Sequence, residues 1–138
     1  MTTTTTSPSA VTITTTIEVT DHACHAVLTT ALEGGIGYWA VARNLERDAD
    51  LWITKVDITE EDDFERGSWH SMMAPDIRRG IEVLSRMIHQ GTVHPNSEIG
   101  RGFADALSDR DDGFACADAT LADAIVQCAL FGEEIRYG

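Results

Sequence analysis

The chain has 138 residues and a mass of 15.0 kDa, the size of one domain, and its 43% hydrophobic and 24% charged residues exclude wholesale disorder. Ten Lys+Arg against 23 Asp+Glu give a net charge of −13, which argues against direct binding to nucleic acid or to an anionic membrane. No apolar run reaches the roughly 18–20 residues of a membrane span, and the Thr-rich start has neither the basic flank nor the apolar centre of a secretory signal.

In chain order, residues 1–10 read as a flexible arm, because a threonine run followed by Ser7-Pro8-Ser9 has nothing to bury. Residues 11–138 read as a single α+β domain. Val11, Ile13, Thr15, Ile17 and Val19 alternate with polar residues, which predicts a half-buried strand over Val11–Thr20. Asp21, or alternatively Thr20, is then a helix N-cap. Cys24, Val27, Leu28, Ala31 and Leu32 form the apolar stripe of that helix. Gly34 and Gly35 are expected to end it by taking the left-handed conformation. Tyr38–Arg43 and Leu51–Ile58 read as an antiparallel pair joined by a polar loop.

An acidic segment, Glu60–Glu65 broken by Phe64, leads to Ser68–Met73, which is either a further strand or a loop. Pro75 and Asp76 suit a helix start. The stripe Ile77, Ile81, Leu84, Met87 and Ile88 predicts a helix ending at Gly91. Ile99, Phe103, Ala106 and Leu107 predict a short third helix, and Asp111-Asp112-Gly113 a turn. Asp118 caps a fourth helix carrying Leu121, Ala124, Ile125, Cys128 and Ala129, closed by Gly132, with Ile135–Tyr137 as a short terminal strand. Strands and helices are segregated along the chain. The expected fold is therefore α+β, a small antiparallel sheet packed on one face by three to four helices.

The candidate chemistry is sparse. Gly34, Gly35 and Gly37 follow a helix where a phosphate cradle would precede one, so carbonyls face the turn and the polarity is wrong for an anion. Tyr38 and Trp39 would face opposite sides of a strand, one in the core and one exposed as a binding anchor, and Trp52 is a further aromatic anchor. His22 and His25 fall one turn apart, with Cys24 between them, but supply too few ligands for a metal site, and His89 and His94 are a weaker pair. Ser68, His70 and Ser71 lack the surroundings of a nucleophile elbow. No catalytic residue, metal or cofactor is assigned. Cys24, Cys116 and Cys128 lack C-x-x-C spacing and fit a reducing, cytoplasmic compartment. Asp62 and Asp63, at the centre of the acidic segment, suit a basic partner. Arg78 and Arg79, beside a helix start, suit a phosphate.

Two segments carry a resemblance. Ala31–Trp39, with Leu-Glu-Gly-Gly followed by Tyr-Trp, resembles a recurring segment of small phage-encoded proteins of uncharacterised function. Leu121–Gly138, with Ala129-Leu130-Phe131-Gly132-Glu133, is similar to the way such proteins end. The resemblance implies a phage accessory protein in the host cytoplasm, and it implies no catalytic residue. Three roles follow as expectations. The first is a non-enzymatic antagonist that binds a host protein, basic or nucleic-acid-binding, in stoichiometric fashion to counter host machinery such as a defence system. The second is an oligomeric sponge that sequesters a nucleotide signal. The third is a minor virion structural or assembly protein. The exposed first strand and the threonine arm point to a homo-oligomer.

Overall fold

The computed structural model describes residues 16–109 and 112–138. The expected arm and the first part of the expected N-terminal strand lie outside these residues. The remainder of that strand, residues 16–20, is irregular. The reason is local. Thr20 turns its side chain to accept the N–H of Ala23 and so caps α1 (Asp21–Thr30), while the Val19 carbonyl accepts Arg78 Nε at 2.8 Å. Thr20, not Asp21, is the N-cap.

The sheet consists of β1 (Ala40–Arg47), β2 (Ile53–Glu60) and β3 (His70–Met72), antiparallel in that order. The stretch 70–72 is therefore a strand, and the acidic segment before it winds into a short 3-10 helix, Glu61–Arg66. Ile53, Val56, Ile58 and Met72 point from the sheet into the core, where they meet Val27 and Leu28 of α1. The long helix α2 (Ala74–Gln90) carries Pro75 in its first turn, where a helix start was expected, and the Asp76 carboxylate accepts the N–H of Met73. It ends at Gly91, which takes the left-handed conformation at φ 83°. The order is completed by α3 (Glu98–Ser108), capped by Ser97, and α4 (Ala119–Phe131), capped by Asp118. The fold is an α+β domain with a three-stranded antiparallel sheet packed against several helices.

The innermost helix is α4. Every residue from Leu121 to Ala129 is buried, as expected of a helix that is apolar nearly all round. Burial pushes the thiol of Cys128 up to about 12 and that of Cys24 up to about 11, so both behave as small hydrophobes, while Cys116 is exposed. Asp123 and Gln127 are the polar members of the α4 set, one turn apart.

Two expectations are corrected. Gly34 and Gly35 do not stop a helix by left-handed geometry, because neither has positive φ. The chain instead continues from α1 into a wider π-helical turn, Ala31–Gly35. Glycine is needed there for close approach: a Cβ on Gly35 would sit 3.0 Å from the Ala119 carbonyl oxygen. The residues expected as a terminal strand, Ile135–Tyr137, form no strand. The backbone N–H groups of Arg136 and Tyr137 are taken by the Gln127 side chain of α4.

Candidate functional site

The Asp123 carboxylate is the centre of the site. It lies on the face of α4 turned toward the segment entering β1, and it is 9% exposed. Tyr38 Oη donates to its Oδ2 at 2.6 Å. Trp39 Nε1 donates to Oδ1 at 2.8 Å, and Gln127 Nε2 donates to the same oxygen at 2.9 Å. Three neutral donors thus converge on one buried acid, and no cation is among them. The Trp39 ring is 2% exposed, while the Tyr38 ring is 55% exposed with its oxygen turned inward. One aromatic is core and its neighbour is exposed, as expected, yet both bind the same carboxylate. They do so from the turn before β1 and not from the strand.

Gln127 joins this centre to the C-terminal tail. Its Oε1 accepts the backbone N–H of Arg136 at 2.9 Å and of Tyr137 at 3.0 Å, and its Nε2 donates to the Tyr137 carbonyl at 3.0 Å. The side-chain amide acts as the neighbour a strand would have provided. The Tyr137 ring stacks flat on Trp39, with centroids 5.1 Å apart and planes 5° from parallel, and Phe131 tilts against both. At its far end Tyr137 Oη donates to Glu60 Oε1 at 2.7 Å, and Arg136 also reaches Glu60. The Tyr137 hydroxyl and then the Arg136 guanidinium hold the Glu60 carboxyl below its ordinary 4.5. That stabilisation is present above the ordinary value and is lost as pH falls through the lowered one. Loss of hydration at the hydroxyl and then the Asp123 hydrogen bond push Tyr38 up to about 12. The bond to Glu60, followed by loss of hydration, does the same for Tyr137.

Beside this network opens a cleft of about 530 Å³. One wall is the π-helical turn, through Gly34 and Gly35. The starts of α3 and α4 also line it, through Ser97, Glu98, Ile99, Ala119 and Thr120. Its floor is Asp123 and Gln127, and Tyr38, Ile135 and Tyr137 rim it. Its lining includes the acids Glu98 and Asp123 and no arginine, lysine or histidine. The two segments that carry the phage-protein resemblance, Ala31–Trp39 and Leu121–Gly138, therefore meet at one place. Asp123, Gln127 and Tyr137 were not singled out from the sequence. The readable signal was a polar pair one turn apart in an otherwise apolar helix.

The other expected residues lie elsewhere. Arg78 binds the Val19 carbonyl and Asp21, while Arg79 binds the Ala129 carbonyl and Asp76. The two guanidiniums hold different parts of the chain together and do not line the cleft. Trp52 is half-buried and packs edge-on against His22, with centroids 5.3 Å apart. Asp62 is exposed, and Asp63 pairs with Arg66 at 3.8 Å in the 3-10 helix. Beside them Phe64 is 52% exposed and meets Trp69 edge-on, and Arg43 lies 3.8 Å over the Trp69 ring. Trp69 and Arg43 were not foreseen as members of this patch. Ser71 donates to Asp57 while His70 is exposed. Among the described residues, no three His, Cys, Asp or Glu side chains group as a metal set, and no helix is long and apolar enough to cross a membrane. Compared with family models, curated proteins and solved structures, the chain finds no match.

Proposed function

We propose that the protein is a non-enzymatic binding protein that captures a small ligand, mole for mole, in the cleft over Asp123. The observation that carries this reading is the cleft itself. It has the volume of a small-molecule site, with apolar walls and a few polar groups fixed by one another. Asp123, Gln127 and Tyr38 are each held by defined hydrogen bonds, so the floor is set before any ligand arrives. The phage-protein resemblance supports an accessory role in a host cytoplasm, where capture of a host molecule would counter host machinery. A nucleotide sponge fits this cleft less well, because its lining offers phosphates no basic group.

The outer patch favours a second reading, stoichiometric binding of a basic host protein. There Phe64, Trp69 and Arg43 adjoin the exposed acids of the 3-10 helix, giving aromatic anchors beside negative charge. The long, largely exposed edge strand β1 would serve self-association.

Native mass spectrometry of protein purified without denaturation and then incubated with a small-molecule cell extract tests these readings together. The expected result is one ligand per chain, lost on denaturation and absent from Gly34→Trp. Gly34 lines the cleft and a Cβ there meets nothing within 4 Å, so a large side chain can be placed at the cleft wall without straining the backbone. Ligand retained by Gly34→Trp, or none on either protein, would overturn the cleft reading. A bound basic polypeptide with an empty cleft would favour the second.

A further inference from the structure

Resting on the ligand-cleft reading, we propose that the occupant is an organic cation: a primary ammonium group carried on a compact apolar or aromatic body. The cleft lining carries Asp123 and Glu98 and no basic side chain. Asp123 is served only by hydroxyl, indole and amide donors, none of which cancels a charge. Glu98 is bound by the Thr120 hydroxyl at 3.3 Å, again a neutral donor. A ligand cation would supply the counter-charge that the buried Asp123 lacks among its partners, with Glu98 as a second acid at the wall.

The two helix starts that border the cleft do not reverse this. Ser97 Oγ accepts the Gly100 N–H at 3.1 Å, and Asp118 Oδ1 accepts the Leu121 N–H at 2.8 Å. Each start also carries its own acid, Glu98 for α3 and Asp118 for α4, so the positive helix ends are already matched from within the chain. An anion entering here would meet two carboxylates and no cation.

The remaining lining describes the rest of the ligand. Ile99 and Ile135 offer apolar contact, and Tyr38 and Tyr137 are aromatic groups beside which an ammonium is attracted. With Tyr38 pushed up to about 12, its hydroxyl stays a donor to Asp123 at neutral pH and does not add a third negative charge. The overall charge of −13 draws cations toward the surface but cannot choose among them. Selection falls to the shape and the carboxylates of the cleft.

The test is isothermal titration at fixed ionic strength with three probes of matched size: phenethylammonium, phenethyl alcohol and phenylacetate. Phenethylammonium is expected to bind about tenfold or more tightly than the alcohol, in line with hydrogen bonds to charged groups, and phenylacetate not at all. Glu98→Gln, at an exposed position on the cleft wall, should weaken the ammonium probe about threefold to fivefold while leaving the alcohol unchanged. Gly34→Trp should abolish binding. Equal or tighter binding of the alcohol or of phenylacetate would overturn the cation assignment yet leave the ligand cleft standing. Ammonium binding that survives Gly34→Trp would mark a general surface attraction and overturn it too. If no probe binds, the assignment fails, and the extract experiment decides the cleft reading separately.

Discussion

Replacing Asp123 by alanine is expected to lower the unfolding free energy by about 3 kcal/mol, because buried donors left without an acceptor cost about 1–3 kcal/mol each. The Trp39 indole N–H suffers most, since the residue is 2% exposed and Asp123 is its acceptor. The Tyr38 hydroxyl can turn to solvent, and Gln127 keeps its bonds to the tail, so the costs do not add in full. Asp123→Asn keeps one acceptor for the indole and should lose only about 1–2 kcal/mol. A domain of this size has about 5–15 kcal/mol in total, so the alanine variant loses a large share. Urea unfolding followed by tryptophan fluorescence should show midpoints falling from wild type to Asn to Ala with unchanged slope. An alanine variant as stable as wild type would mean that the carboxylate does not organise the site.

Gly80→Ala should destabilise the protein by about 1–3 kcal/mol, the cost of overpacking a filled interface. The sign is the informative part. In the middle of an exposed helix the same change would stabilise by about 1 kcal/mol through helix propensity. Gly80 is buried in α2 against α4, and a Cβ there would lie 2.4 Å from the Ile125 carbonyl oxygen and 3.1 Å from the Ala129 Cβ. The helices would have to part, and α4 carries Asp123 and Gln127. Gly102→Ala in α3 is the control: its Cβ would meet only the Leu121 side chain, at 3.7 and 3.8 Å, and should be neutral or stabilising. Thermal unfolding of the two variants side by side checks the contrast, and a gain in stability from Gly80→Ala would contradict the packing of α2 on α4.

The fold class was legible because periodicity is local. Residues such as Val27, Leu28, Ile77, Leu84, Leu121 and Ile125 announce their helices through spacing alone, and all are buried. What failed depended on contacts across the chain. Gly34 and Gly35 look like a cap because they follow an apolar stripe, but Gly35 is small to admit α4, which lies more than 80 residues on. Ile135–Tyr137 looks like a strand, but Gln127 takes the N–H groups of Arg136 and Tyr137 in place of a neighbouring strand. Arg78 and Arg79 look like a phosphate clamp because they are adjacent, yet neighbours in a helix point about 100° apart, and each finds its own partner. The site was half legible: Tyr38 and Trp39 stood out as aromatics, while Asp123 was one acid among 23 until the fold brought them together.

The 31–39 segment and the C-terminal tail form one hydrogen-bonded site, and its two tyrosines report on it by titration. The chain has two tyrosines, Tyr38 in the first segment and Tyr137 in the second, each donating to a carboxylate. Both phenols are pushed up from 10.0 to about 12. Folding therefore favours their protonated forms, and the stability they contribute is full below about pH 10 and is lost as pH rises toward 12. Phenolate absorbance, recorded with circular dichroism to confirm that the chain is folded, should stay near zero up to about pH 11, where free tyrosine is mostly ionised. Asp123→Asn should bring one tyrosine down and leave the other in place. A folded wild-type protein in which either tyrosine titrates near 10, its ordinary value, would show that the corresponding segment is not held at the site.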